Sequence, residues 1–181
     1  THFEALLTHC LHHPHLPIHE LHYLSREEQQ QQTELFNAIP EVYSGSYQSV
    51  IELISHQAIS QPDSAALLYE GKTLSYAALD AASDRLAAYL QKHQGIKPND
   101  LVGIMLDRSA NMVISILGVL KSGGAYVPID PTYPSSRKSY LMSDTGIKVL
   151  LTQTDYIFDL DYYSGVVFAM DAQLEGLPVE T

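Results

Sequence analysis

The sequence predicts an α/β protein with a mostly parallel sheet and flanking helices. The apolar runs Leu101–Leu106 and Ala125–Ile129 each have the length of a strand. The segment between them carries an apolar stripe with helical spacing, formed by Val113, Ile116, Leu117 and Leu120. Because two strands joined through a helix by short connections run parallel, we expect a right-handed βαβ unit here.

The ends of the helix in this unit are marked by residues with distinct backbone preferences. Ser109 is a predicted N-cap. Gly123 and Gly124 are a predicted stop, because glycine adopts positive φ without a steric clash. If φ is positive at Gly124, the substitution Gly124→Val is expected to strain the turn and cost about 1–3 kcal/mol.

One more helix and two more strands are predicted after this unit. Pro134 suits the first turn of a helix that runs to about Asp144 and ends at Gly146. The segments Lys148–Thr152 and Val166–Ala169 are apolar enough to be strands, and they would extend the sheet.

Residues 49–92 predict a helix, a hairpin and a second, longer helix. The first helix ends before Pro62, and its apolar face is formed by Val50, Leu53 and Ile54. Strands are expected at Ala65–Tyr69 and at residues 73–74, with a turn at Gly71. Ser75 can cap the long helix. The apolar face of that helix is formed by Tyr76, Leu79, Leu86 and Leu90.

The first 48 residues predict short helices and a linker. An amphipathic helix is expected from the spacing of Phe3, Leu6, Leu7 and Leu11. Pro14 and Pro17 end it. Ser25 and Glu28 have the spacing of a capping box, followed by a polar helix through the glutamines at 29–32. Residues 37–49 are short, polar and interrupted by proline and glycine, which is typical of a linker.

Composition excludes several functional classes. Of the 181 residues, 45% are hydrophobic and 17% are charged, and the formal net charge of −11 is opposite to that of a nucleic-acid-binding surface. No apolar run approaches the roughly 20 residues of a membrane span, and no signal-peptide pattern is visible. Cys10 has no second cysteine for an internal disulfide, so we expect a reducing, cytoplasmic location.

Three groups of side chains are candidates for chemistry, and a structural role is favoured for each. Seven histidines stand near Cys10, namely His2, His9, His12, His13, His15, His19 and His22. Zinc binding is one interpretation of them, and a solvated linker is the favoured one. An acidic and aromatic stretch contains Asp155, Tyr156, Phe158, Asp159, Asp161, Tyr162 and Tyr163. It lacks a nucleophile–base pair, so a solvated turn is favoured over catalysis. Tyr126 and Tyr133 are expected to pack against the sheet rather than to stack on a substrate. No phosphate-binding glycine motif is present.

A family resemblance rests on three stretches of the sequence. The segment LKSGGAYVPIDPTYP (Leu120–Pro134) resembles the second core motif of the amino-acid adenylation domains of nonribosomal peptide synthetases, LKAGGAYVPLDPxYP. Ser122 and Ile129 are conservative departures from it. LSYAAL (Leu74–Leu79) resembles the first core motif, LTYxEL, with Ala78 in place of the usual Glu. Residues 16–28 resemble the end of a condensation domain.

This resemblance implies a domain order and a chemistry. Residues 1–24 would be the tail of a condensation domain, 25–48 an interdomain linker, and 49–181 an incomplete N-terminal subdomain of an adenylate-forming enzyme. The parent would use ATP and Mg²⁺ to activate an amino acid and would pass it to the phosphopantetheine of a carrier domain. The family's phosphate loop and catalytic lysine come later than these motifs. We therefore assign no catalytic, cofactor-binding or metal-binding residue and expect this portion to be inactive alone. A docking platform between domains and part of a stand-alone acyl-adenylate ligase are the alternatives.

Overall fold

The computed structural model of the protein describes residues 2–35 and 49–178, and the chain divides into two units, Thr1–Ser46 and Tyr47–Thr181. In the first unit, helix α1 spans His2–His12, as predicted, and ends before Pro14. None of the residues of α1 is buried, so the apolar stripe predicted for this helix is not part of a buried core. A short 3-10 turn follows at Ile18–Glu20. The predicted linker at 37–48 lies outside the described residues.

The predicted capping box is confirmed at helix α2, Arg26–Gln30. The Glu28 backbone N–H donates to the Ser25 hydroxyl (3.2 Å), and the Ser25 N–H donates to the Glu28 carboxylate (2.9 Å). A π-helical turn, Gln31–Leu35, continues the helix. The start of a helix leaves backbone N–H groups without partners inside the helix. Here the Ser25 side chain satisfies the N–H of Glu28, and the Glu28 side chain satisfies the N–H of Ser25.

The second unit contains six helices and six strands among its described residues. The helices are α3 Val50–Ser60, α4 Tyr76–Lys92, α5 Ala110–Lys121, α6 Ser135–Thr145, α7 Thr154–Ile157 and α8 Met170–Gln173. The strands are β1 Ala65–Tyr69, β2 Lys72–Ser75, β3 Leu101–Ile104, β4 Ala125–Pro128, β5 Val149–Thr152 and β6 Val166–Ala169. Every strand and long helix expected from the sequence in this unit is present.

The last four strands form one parallel sheet with the order β4-β3-β5-β6, which confirms the predicted α/β class. Val102 of β3 lies opposite Tyr126 of β4 and Val149 of β5. The first two strands form a separate antiparallel hairpin. Its turn places Glu70 and Gly71 at positive φ (49° and 75°), as a tight two-residue turn requires.

Both faces of the parallel sheet are covered, as is usual for buried parallel strands. On one face, Val149 and Leu151 of β5 pack with residues of α4 and α5, including Leu86 and Leu117. On the other face, Leu150 packs in a separate cluster with Met105, Ile129, Met142, Ile147 and Leu160. All four residues of β5 are buried, so this strand lies at the centre of the core.

The predicted apolar face of α3 is partly wrong. Val50 is 53% exposed and Leu53 is 44% exposed, whereas Ile51 and Ile54 pack against the core. Ala58 is also buried on this inner side. Several apolar residues lie around the helix, and its contact with α4 decides which of them turn inward.

The stop after α5 also differs from expectation. Positive φ occurs at Gly123 (86°) and not at Gly124. A Cβ on Gly124 would instead meet the Asp100 carbonyl oxygen at 3.1 Å and the Ile96 side chain at 3.2 Å. Gly124 is therefore required by close approach of the backbone rather than by its φ angle. Helix α6 ends at Gly146, as predicted, and the φ angle of this residue is 63°.

Candidate functional site

The topology of the parallel sheet points to the crevice at the carboxyl ends of β3 and β5. The chain passes from β3 to β4 on one side of β3 and then returns to form β5 on the other side. In open α/β sheets, ligands bind outside the carboxyl ends of the strands where the winding reverses in this way. The residues that follow β3 and β5 at this point include Asp107 and Gln153.

These two residues and Tyr156 form a closed hydrogen-bond network. The Asp107 backbone N–H donates to the Gln153 side-chain oxygen (3.0 Å), and the Gln153 amide donates to Asp107 Oδ2 (3.1 Å). The Tyr156 hydroxyl donates to Asp107 Oδ1 (2.8 Å). Both carboxylate oxygens of Asp107 are therefore held in place, one by the end of β5 and the other by α7.

Buried hydrogen bonds fix the strands directly beneath this network. The Thr152 hydroxyl, which is fully buried, donates to the Met105 carbonyl oxygen (2.9 Å). The Met105 N–H donates to the Leu151 carbonyl oxygen (2.8 Å). Farther along the same edge, the Thr154 N–H donates to the Asp171 carboxylate (3.0 Å), which ties the end of β5 to α8. Polar contacts therefore connect the end of β3 to β5, and the end of β5 to the helix that follows β6.

The surroundings of Asp107 are rich in hydrogen-bond acceptors. The hydrogen bond to Asp107 raises the pKa of the Tyr156 hydroxyl, with further contributions from burial and from the charges of Asp107, Asp155 and Asp130. The pKa of Tyr69 is also raised, first by a hydrogen bond with Glu70 and then by burial and nearby carboxylates that include Asp107. Both phenols therefore remain protonated donors at neutral pH.

A groove of about 400 Å³ lies beside this network, between the ends of β3 and β4. Its apolar lining is formed by Ile104, Leu106, Met112, Pro128 and Ile129. Its polar lining includes Asp107, Arg108, Asp130 and Tyr133. The Thr132 hydroxyl and N–H donate to Asp130 (2.7 and 2.9 Å), and these hydrogen bonds lower the pKa of the Asp130 carboxyl.

The polar side chains that line the groove are mostly hydrogen-bond acceptors. Acceptors dominate, Arg108 is the cation that lines the groove, and the carboxylates of Asp107 and Asp130 already accept hydrogen bonds within the protein. In the described ranges 2–35 and 49–178, no three His, Cys, Asp or Glu side chains are placed to hold a metal ion. In those ranges, also, no helix is long and apolar enough to cross a bilayer.

The histidines named from the sequence are partly drawn together in the first unit. The His9 ring lies 4.7 Å from the His13 ring and 5.0 Å from the His22 ring, measured between centroids. His12 belongs to α1, and its ring contacts the Thr8 carbonyl oxygen (2.7 Å). Partial desolvation and the neighbouring imidazoles lower the pKa of His9.

The acidic and aromatic stretch at 155–163 does not form a single cluster. Asp155 accepts a long hydrogen bond from Gln153 (3.4 Å), whereas Asp159 and Asp161 are exposed. The Tyr163 hydroxyl donates to the Ile147 carbonyl oxygen (3.2 Å), and burial raises its pKa to about 12. Phe158 is 89% exposed. Tyr156 is the member of this stretch that reaches Asp107.

The two tyrosines near the proline-rich turn have different environments. Tyr126 of β4 is 41% exposed, so packing covers more than half of its surface but not all of it. Tyr133 lies under the Arg137 guanidinium group, with 4.0 Å between that group and the ring centroid. This cation–π contact links the turn to the first turn of α6.

The sequence analysis missed Asp107 and Gln153 because neither belongs to a recognised motif. A signal was present nonetheless. Asp107 directly follows the apolar run that contains β3, and Gln153 directly follows β5. Polar side chains at the carboxyl ends of neighbouring parallel strands meet at one edge of the sheet, and both strands were predicted to belong to one mostly parallel sheet.

Comparison with known proteins identifies the protein family to which the chain belongs. The model of the AMP-binding enzyme family matches residues 54–175, and the chain therefore belongs to this family. The chain is 40% identical over 173 residues to gramicidin S synthase 2 of Brevibacillus brevis, covering 96% of this chain and 4% of that protein. It is 37% identical over 180 residues to a linear gramicidin synthase of Brevibacillus parabrevis, covering 99% of this chain and 2% of that protein.

A solved structure shows the same relationship in three dimensions. A four-domain nonribosomal peptide synthetase bound to AMP and glycine superimposes with a TM-score of 0.75 at 31% identity, covering 98% of this chain and 13% of that chain. The chain thus spans only a few per cent of the length of the curated relatives named above.

Proposed function

We propose that residues 49–181 are the N-terminal part of an amino-acid adenylation domain in a nonribosomal peptide synthetase. The observation that carries the proposal is the AMP-binding family match over residues 54–175, which includes both core motifs. The second motif forms the end of α5, the turn and β4, so it builds the crossover that places β4 beside β3. In this proposal, the parent protein activates an amino acid as aminoacyl-AMP and loads it onto carrier-bound phosphopantetheine.

The described residues do not by themselves fit ATP or Mg²⁺. A triphosphate needs a cradle of backbone N–H groups and cations, and the groove at the carboxyl edge offers Arg108 beside two carboxylates that already accept hydrogen bonds. We therefore propose that this portion contributes one wall of the ligand cleft and no catalytic residue. The phosphate-binding and catalytic groups would be supplied by later parts of the same synthetase.

The first 48 residues are proposed to be the end of a condensation domain (1–24) and an interdomain linker (25–48). The similarity to the two gramicidin synthases supports this, since it extends over 96% and 99% of the chain and so includes residues before the family match. The partners would be the condensation and carrier domains of the same synthetase, with a cytoplasmic location. The alternatives are a docking platform without chemistry of its own and part of a stand-alone acyl-adenylate ligase.

The test is ATP–pyrophosphate exchange, measured on the 181-residue chain and on a polypeptide extended through the whole adenylation domain. We expect the short chain to be silent and the long one to exchange with one or a few amino acids. Exchange with aryl or fatty acids but not with amino acids would favour the acyl-adenylate ligase. Exchange by the short chain would contradict the assignment of the chemistry to later segments. Silence of the folded, extended protein with every acid would overturn the proposed function.

A further inference from the structure

Asp107 connects several elements at the carboxyl edge. It follows β3 and precedes the N-cap of α5, and the N-cap residue Ser109 donates its hydroxyl to the Asp107 carbonyl oxygen (3.2 Å). Its side chain and its N–H are bound by Gln153 after β5, and its second carboxylate oxygen is bound by Tyr156 of α7. One residue therefore fixes the β3–α5 connection relative to the β5–α7 connection.

This network is not needed to hold the two strands together. β3 and β5 are already paired through backbone hydrogen bonds, and Val102 of β3 and Leu150 and Leu151 of β5 are completely buried. Asp107 itself is exposed, and hydrogen bonds made in contact with water contribute little net stability. The orientation of three polar groups toward one residue therefore calls for a role other than stabilisation of the fold.

We infer that Asp107 is a positioning residue, which fixes the β3–α5 wall of the groove between the ends of β3 and β4 for the ligand of the adenylation reaction. The inference rests on the proposed function. In this inference Asp107 acts through the connections that it holds. Geometry matters at such a site because a displacement of about 1 Å can lower a rate by about 100-fold.

The experiment uses the extended protein with its complete adenylation domain and compares Asp107→Ala, Asp107→Asn and the control Asp159→Asn with the unchanged protein. Asp159 is an exposed carboxylate in the loop after α7 and outside the network. For each variant, kcat and KM for ATP and for the amino acid are measured by pyrophosphate exchange, together with the melting temperature.

We expect Asp107→Ala to lower kcat/KM by about tenfold or more at a nearly unchanged melting temperature. Asp107→Asn should restore most of the activity, because its carboxamide oxygen can accept from Gln153 and its NH₂ group can donate to the Tyr156 hydroxyl. Asp159→Asn should match the unchanged protein. A loss of activity confined to the Ala variant is the signature of positioning.

Several results would overturn the inference. Unchanged kinetics for Asp107→Ala would show that the groove does not depend on the network. Equal losses for the Asn and Ala variants would show that the charge, rather than the geometry, is required. If Asp107→Ala does not fold, Tyr156→Phe removes a single hydroxyl, and full activity of that variant would contradict positioning. Absence of exchange by the unchanged protein would overturn the proposed function, and this inference with it.

Discussion

The ammonium group of Lys121 lies 2.6 Å from a carboxylate oxygen of Asp80, and the Lys121 side chain is only 8% exposed. It also lies 2.7 Å from Asp84, whose side chain is 62% exposed, and it donates to the Asp80 carbonyl oxygen (3.2 Å). Ser55 of α3 donates to the same Asp80 carboxylate (3.2 Å). These contacts join the end of α5 to α4 and α3, so Lys121, which belongs to the second core motif, has a structural role in this chain.

Asp80→Ala is expected to destabilise the protein by about 2 kcal/mol, because it leaves the Lys121 ammonium group buried with only one, mostly exposed, carboxylate partner. Asp84→Ala is the matched control and should cost less than about 1 kcal/mol, since exposed ion pairs contribute little. The measurement is the free energy of unfolding by urea denaturation. Equal effects of the two substitutions would contradict the dominant role of Asp80.

Gly118→Ala is expected to destabilise the protein by about 1–3 kcal/mol, although alanine is the better helix former by about 1 kcal/mol. A Cβ at Gly118 would lie 2.8 Å from Leu86 Cγ and 2.9 Å from Leu86 Cβ, so α4 and α5 would have to move apart. Gly176→Ala, where a Cβ meets no atom within 4 Å, is the control. A higher melting temperature for Gly118→Ala would show that helix propensity outweighs the crowding.

The stability of the capping box at α2 is expected to fall as pH falls from about 4.5 to 2. Backbone and side-chain hydrogen bonds from Ser25, with a further contribution from His2, lower the pKa of Glu28 from 4.5 to about 2. A carboxyl whose pKa is lower in the folded state stabilises that state above the unfolded pKa and loses the effect as it becomes protonated. The contribution is therefore complete above pH 4.5 and is lost in this window.

An NMR titration of the Glu28 side-chain carboxyl carbon measures this shift. The midpoint should lie near pH 2 in the unchanged protein. In Ser25→Ala it should move toward 4.5, because the hydroxyl contact is lost while the Ser25 backbone contact can persist. A midpoint near 4.5 in the unchanged protein would mean that the capping box does not form in solution.

Local signals in the sequence were sufficient to predict the strands and the long helices of the second unit, but not the short helices α7 and α8. Ser49, Ser75 and Ser109 each accept a hydrogen bond from a backbone N–H three residues later at the start of a helix. Such caps depend on one residue and its immediate neighbours, so they can be predicted from the sequence. The parallel sheet could also be predicted from the sequence, because short connections between strands and helices permit few topologies.

The candidate site could be predicted only in part. Tyr156 was named from its acidic and aromatic neighbours, but its partner is Asp107, 49 positions earlier in the chain. Asp159 and Asp161, which are much closer to it in sequence, are exposed and do not join the network. Proximity along the chain did not indicate Asp107 as the partner, because the fold brings together the ends of strands and not the residues of one loop.

The sequence by itself determined the α/β class, the order of the elements, most helix ends and the two motifs that point to the adenylate-forming enzymes. These follow from periodicity, capping and turn residues, which act over a few positions. Only the tertiary structure decided which face of α3 is buried, which of Gly123 and Gly124 has positive φ, and that Asp107 meets Gln153 and Tyr156. Those outcomes depend on strand order and on packing between elements that are distant in the chain. Several local conformations have nearly equal free energy until the neighbouring element packs against them.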